Sequence, residues 1–158
     1  MRNASLFDLA GRKALVTGAS RGIGRSIAEA LSAAGADVAV TARSLASLDE
    51  VTAALRAAGG VAHAVALDVT DVTRCRTATA EAAGLLGGLD ILVNNAGMEE
   101  VRPSLDVDEA LWDRIIDTNL KGAFFCAQAA ALQMRDAGHG GAIINLCSLT
   151  SEVGIPTA

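Results

Sequence analysis

The stretch Lys13–Leu31, KALVTGASRGIGRSIAEAL, restricts the possible folds more than any other part of the chain. Ala14-Leu15-Val16 is an apolar run too short for a helix and bounded by a turn signal, so it reads as a buried strand. Thr17-Gly18-Ala19-Ser20-Arg21-Gly22-Ile23-Gly24 follows. Ile23, Ile27, Leu31 and Ala34 then recur at helical spacing, with Arg25 and Glu29 off that face. A strand, a glycine-rich turn and a helix in immediate succession form a phosphate-holding arrangement. Glycine allows the tight turn and the close approach of a pyrophosphate, and the unpaired N–H groups of the helix start face the anion. A ligand-free strand–helix turn would read the same way over these residues alone, so the rest of the chain has to decide.

The remaining pattern repeats strand and helix. Residues 3–12 form a leading segment anchored by Leu6, Phe7 and Leu9, with Gly11 as a turn and Gly35 as the stop of the first helix. Val38-Ala39-Val40 reads as a second strand. Leu45, Leu48, Val51 and Leu55 mark a second helix ending at Gly59-Gly60. Val65-Ala66-Leu67 is a third strand closed by Asp68, and an alanine-rich helix follows from about Val72 to Ala83. Ile91-Leu92-Val93 is the fourth strand, ending in Asn94-Asn95-Ala96-Gly97. Asp106 with Glu109 resembles a capping box for one long helix from Val107 to Arg135, and Ala142–Leu146 is a fifth strand. Strands alternating with helices predict an α/β fold, a doubly wound parallel sheet with helices on both faces, in one domain over residues 1–158.

Composition excludes several classes. With 51% hydrophobic and 20% charged residues the chain is a folded one, and a net charge of −5 argues against nucleic acid or an anionic membrane as partner. No apolar run reaches membrane-spanning length. Cys75, Cys126 and Cys147 are odd in number and lack metal-ligand spacing, so they are expected as buried or semi-buried free thiols in a reducing cytoplasm. His63 and His139 have no Cys or carboxylate partner at ligand spacing, and no metal site is expected.

In open α/β sheets, ligands sit beyond the carboxyl ends of the strands, where strand order reverses. The residues just past those ends are Gly18, Ala42-Arg43, Asp68, Asn94–Gly97 and Ser148, and together they would line one crevice. An NAD-binding version carries an acid about 20 residues after the glycines to hold the ribose diol. Here Ala42 stands 18 residues after Gly24 and Arg43 follows it. A guanidinium can pair with a 2′-phosphate that an acid would repel, and Arg21 in the glycine turn could reach the same group. The pattern favours NADP(H) over NAD(H).

These motifs resemble the short-chain dehydrogenase/reductase family over nearly the whole chain. The glycine motif T-G-x-x-x-G-I-G matches Thr17–Gly24, an Asp-Val that contacts adenine matches Asp68-Val69, and N-N-A-G matches Asn94–Gly97. The resemblance implies that Thr17, Gly18, Ser20, Arg21, Gly22, Ile23, Gly24, Arg43, Asp68, Val69, Asn95, Ala96 and Gly97 hold the cofactor. It also implies that Asn119 holds a water in a proton relay while distorting its helix, and that Ser148 hydrogen-bonds the substrate oxygen. Hydride would pass between nicotinamide and a carbonyl or secondary alcohol of a small sugar, sugar acid or 3-oxoacyl substrate. Homo-oligomerisation, as a tetramer or dimer through the long helix around Leu111–Met134, is implied as well.

One departure stands out. The family's acid/base is a Tyr with a Lys four residues on, but the chain contains no tyrosine, and its lysines are Lys13 and Lys121. By family spacing the pair falls past Ala158, so the chain is expected to be truncated before that helix. The alternative is a non-catalytic dinucleotide-binding module. Cys147-Ser148 and Ser151-Glu152 resemble the gluconate 5-dehydrogenase branch, whereas Glu99-Glu100 stand where that branch tends to be basic. Trp112 and Phe124-Phe125 read as core or subunit contacts.

Overall fold

A computed structural model describes residues 7–149 and residue 153. Five parallel strands form one sheet in the order β3-β2-β1-β4-β5: β1 (Lys13–Val16), β2 (Asp37–Ala42), β3 (Ala62–Ala66), β4 (Ile91–Asn94) and β5 (Ala142–Asn145). The chain winds outward from β1 to β3 and then returns to β4 on the other side of β1. Strand order therefore reverses between β1 and β4, where Leu15 lies opposite Leu92 and Val16 opposite Val93.

Successive side chains of a strand point to opposite faces, and both faces of the central strands are covered. On one face Ala14, Val16, Val38, Val40 and Val93 pack with Ala28 of α1 (Gly22–Ala33) and with Val51 and Leu55 of α2 (Asp49–Ala57). On the other, Leu15, Ala39, Val65 and Leu92 pack with α3 (Val72–Leu86) and α5 (Ala123–Asp136). This is why the central strands read as continuous apolar runs. All four residues of β5, the edge strand next to β4, are exposed, with Ile144 47% exposed, and α5 packs on it.

Several expectations are corrected in detail. Leu67 lies beyond β3, which is centred earlier in the chain, and the second helix begins with a 3-10 turn at Leu45–Leu48. Ile23 is 67% exposed, so the buried stripe of α1 runs through Gly24 and Ala28. Phe7 is exposed, whereas Leu9 packs against the core; Leu6 lies outside the described residues.

The predicted long helix is interrupted. After a 3-10 turn at Ser104–Asp106 comes α4 (Glu109–Ile116), then a π-helical turn over Asp117–Gly122, then α5. The cap is Asp108, not Asp106: its carboxylate accepts from the Leu111 N–H at 2.7 Å. A π turn places one extra residue in the ladder. Gly122 permits it at this place, since a Cβ there would stand 2.7 Å from the Val69 carbonyl oxygen.

Candidate functional site

A cleft of about 760 Å³ opens over the carboxyl ends of the strands at the reversal of strand order. Its wall includes Gly18 and Ser20–Gly24 from the turn after β1, Ala42-Arg43 from β2, Asp68-Val69 after β3 and Asn95–Met98 after β4. Asp113, Arg114, Asp117 and Thr118 of α4 and the π turn complete it. Strand ends scattered through the sequence, those of β1 to β4, thus converge on one crevice; Ser148, expected to line it too, is not part of the wall.

The glycine turn is held from behind. Thr17 is 1% exposed, and its Oγ1 accepts from the N–H groups of Asn95 and Ala96, both at 3.0 Å. Asn95 returns the bond: its Nδ2 donates to the carbonyls of Thr17 at 2.9 Å and Gly18 at 3.0 Å. The turn is also tied sideways, where the Ala19 N–H donates to the Thr41 carbonyl at 2.9 Å. Gly18, at φ +64°, needs to be glycine for a second reason, since a Cβ on it would lie 2.8 Å from the Cα of Ala96. Thr17 and the Asn95 amide therefore shape the cleft wall from inside, while Gly22, Ile23 and Arg21 present themselves to it.

The start of α1 carries no side-chain cap, in contrast to α3 and α4. Asp71 caps α3 by accepting from the Arg74 N–H at 3.0 Å, and Asp108 caps α4. At α1 the capping position is Arg21, with no side-chain cap and no acid in the first turn. The N–H groups of that first turn are left for an outside acceptor, next to a guanidinium. Gly22, at φ +57°, has open space where a Cβ would project. This is a fitting cradle for a pyrophosphate.

The cations of the cleft divide into two kinds. Arg114 is spent on Glu100 at 3.0 Å, and Glu100 is also held by Arg102. Arg21 and Arg43 have no acidic partner among the described residues, and both line the cleft, as does Ala42 at the end of β2. The acids are largely occupied: Asp68 Oδ1 accepts from the Thr70 N–H at 3.0 Å and its hydroxyl at 2.8 Å, and Asp117 pairs with Lys121 at 3.0 Å.

Asn119 lies in the π turn, and its side chain clamps the backbone after β4. Its Nδ2 donates to the Met98 carbonyl and its Oδ1 accepts from the Met98 N–H, both at 2.8 Å. One N–H and one lone pair of the exposed amide remain outside this clamp. Ser148 is exposed three residues past the end of β5, outside the lining of the cleft. Motif reading missed Asn145 and the use made of Asn94, whose Nδ2 donates to the Ala123 carbonyl and to Asn145 Oδ1, both at 2.9 Å. An asparagine paired across two adjacent parallel strand ends is the signal that would have shown it.

Other expected groups settle elsewhere. Cys75 and Cys126 are buried free thiols, but Cys147 is exposed. His139 faces the Gly140 carbonyl at 2.9 Å, and no group of metal-ligating side chains occurs among the described residues. Among the described residues, no helix is long and apolar enough to cross a membrane. Trp112 and Phe124 are 60% and 59% exposed, and Phe125 packs against the core.

The comparisons agree with this geometry. The short chain dehydrogenase family model matches residues 12–158. A gluconate 5-dehydrogenase of Gluconobacter oxydans (strain 621H) is 39% identical over 156 residues, which is 99% of this chain and 60% of the relative. The structure of a candidate short-chain alcohol dehydrogenase from Sinorhizobium meliloti 1021 superposes with a TM-score of 0.94 at 68% identity, over 98% of this chain and 61% of that one. A gluconate 5-dehydrogenase from Burkholderia cenocepacia J2315, in complex with NADP and tartrate, gives a TM-score of 0.91 at 38% identity, over 98% and 60%. The chain thus spans about three-fifths of the length of these relatives. With the glycine turn, the strand order and the asparagine-braced crevice all in place, the chain belongs to the short-chain dehydrogenase family.

Proposed function

We propose that this chain is the dinucleotide-binding part of an NADP(H)-dependent oxidoreductase that interconverts a carbonyl and a secondary alcohol on a small sugar, sugar acid or 3-oxoacyl substrate. The observation that carries the cofactor preference is the pair Arg21 and Arg43. Both line the cleft, neither has an acidic partner among the described residues, and Ala42 stands where a ribose-binding acid would. Two unspent guanidiniums favour a 2′-phosphate over a bare diol. Gly18, Ser20, Gly22, Ile23 and Gly24 hold the pyrophosphate against the start of α1, Asp68 and Val69 flank the adenine, and Asn95, Ala96 and Gly97 border the inner end.

The nicotinamide supplies the carbon that gives or takes hydride. Ser148 orients the substrate oxygen and hydrogen-bonds the charge that develops there. Asn119, with one N–H and one lone pair outside its clamp on Met98, holds a water for proton transfer. The family and the complex of the Burkholderia cenocepacia relative with NADP support this reading. A homo-oligomer, dimer or tetramer, in the cytoplasm belongs to the same proposal, supported by the exposed Trp112 and Phe124 on α4 and α5.

Titration with NADPH and NADH tests it. NADPH is expected to bind more tightly, and Arg43→Asp is expected to invert the order. Equal or tighter NADH binding by the unmodified protein would end the argument from Arg21 and Arg43. Hydride transfer by the full-length protein to sugar-acid and 3-oxoacyl substrates, followed at the nicotinamide absorbance, separates an enzyme from a module that binds without turnover.

A further inference from the structure

Two asparagines at the carboxyl end of the sheet take no part in the cleft wall. Asn94 and Asn145 stand opposite each other at the last rung between β4 and β5. Register partners in adjacent strands share a face of the sheet, and Leu92, two residues before Asn94, belongs to the cluster packed against α5. Asn94 is 5% exposed, and its amide spends both N–H groups on this face. One donates to the Ala123 carbonyl and one to Asn145 Oδ1, each at 2.9 Å. The Asn94 carbonyl also accepts from the Leu146 N–H at 3.0 Å. The end of β5 is therefore gripped at two consecutive residues, through a side chain at Asn145 and through the main chain at Leu146.

These bonds join three parts of the chain that carry the groups of the proposed reaction. Asn94 leads into Asn95, Ala96 and Gly97, which border the cleft. Ala123 opens α5 directly after the π turn that carries Asn119. Asn145 ends β5, three residues before Ser148. Its Oδ1 thus ties the exit of β5 to the π turn by way of one buried amide. An apolar side chain at 145 would strand one N–H of that amide and cut the side-chain tie. Only the oxygen of Asn145 takes part in the bridge, so a carboxylate can replace it.

We propose, on the oxidoreductase reading of Ser148 and Asn119, that Asn145 is a positioning residue which acts through Ser148. It holds the segment leaving β5 at a fixed place relative to Asn119. The Ser148 hydroxyl and the relay at Asn119 serve the same reaction centre, and misplacing one of them by about 1 Å costs roughly a hundredfold in rate. Asn145 lies outside the cleft lining, so the grip on the dinucleotide is left alone.

The test uses the full-length protein, with D-gluconate and D-sorbitol as probes in the presence of NADP+, and acetoacetyl-CoA in the presence of NADPH. Rates are followed at the nicotinamide absorbance. Asn145→Ala is expected to lower kcat by roughly tenfold to a hundredfold, with the NADPH dissociation constant unchanged. Asn145→Asp keeps an oxygen for the Asn94 amide and is expected to recover most of the rate. In a Ser148→Ala background, Asn145→Ala is expected to cost none of the residual rate, because the two residues act as one unit.

A parent-like kcat in Asn145→Ala, no recovery in Asn145→Asp, or losses that multiply in the double variant would overturn the proposal. Loss of folding in Asn145→Ala, or a fall in NADPH affinity as large as the fall in rate, would show a merely structural role and overturn it as well. A fully active Ser148→Ala enzyme, or no turnover of any of the three probes by the parent, defeats the reading of the site itself and the role of Asn145 with it. That failure is seen before any change is made at Asn145, which distinguishes it from failure of the positioning role alone.

Discussion

Thr17 offers the sharpest test of how the glycine turn is held. Its hydroxyl oxygen is the acceptor for two backbone N–H groups, those of Asn95 and Ala96, at 3.0 Å each. Its own proton reaches the Val93 carbonyl at 3.4 Å, an acceptor that already receives the Thr17 N–H at 3.0 Å. Replacing Thr17 by Val keeps the shape of a residue that is 1% exposed, so it opens no cavity. What changes is that two donors lose their acceptor, and the new methyl group occupies the place where water would have to enter. Each stranded donor costs about 1–3 kcal/mol. Both are only partly buried, which puts the sum at about 2–4 kcal/mol. Thr17→Ser keeps the oxygen and loses one methyl group, worth about 1 kcal/mol. The valine variant should therefore unfold well before the serine variant in urea. With a denaturant slope of about 1–3 kcal/mol per molar, the midpoints should differ by roughly 1 M. Coincident midpoints, or a valine variant more stable than the serine one, would show that those N–H groups find other acceptors and that Thr17 does not hold the turn.

Three further outcomes follow from the same structure. Gly122→Ala forces a Cβ against the Val69 backbone and should cost about 1–3 kcal/mol in thermal unfolding; an unchanged melting temperature would mean that the π turn rearranges freely. Asp108→Ala should cost about 1 kcal/mol by removing the cap of α4, whereas Asp106→Ala should stay within about 0.5 kcal/mol of the parent. Reversal of that order would restore Asp106 as the cap. Thr41→Val should be neutral or stabilising by about 1 kcal/mol, because the Thr41 hydroxyl is buried without a hydrogen-bond partner among the described residues. A large loss in urea unfolding would show that the hydroxyl has an acceptor after all.

The alternation of apolar runs with amphipathic stretches was enough to read a parallel α/β sheet, because the central strand runs β1, β2 and β4 are covered on both faces and the helices on one. The glycine turn, the missing acid at Ala42 and the polar strand ends were equally legible, since turn chemistry is local. Boundaries that depend on contacts were not. Asp106 and Asp108 are both plausible caps in sequence, and only the path of the chain decides that Asp108 reaches the Leu111 N–H. Ile23 has the right spacing for a core face, yet the cleft opens above it and leaves it exposed.

The sequence by itself determined which residues could serve as strands, turns and phosphate-facing groups, because propensity and spacing are properties of neighbours along the chain. Tertiary structure alone decided what those groups are used for. It turned Thr17 and Asn95 inward as a brace, spent Arg114 on Glu100 while leaving Arg21 and Arg43 on the cleft, and interrupted the long helix with a π turn whose Gly122 lies against Val69. It also placed Cys75 and Cys126, from helices far apart in the chain, in one buried cluster. The pairings among these join groups separated along the chain, and a hydrogen bond or close contact acts over a few ångströms of space, whatever the separation in sequence.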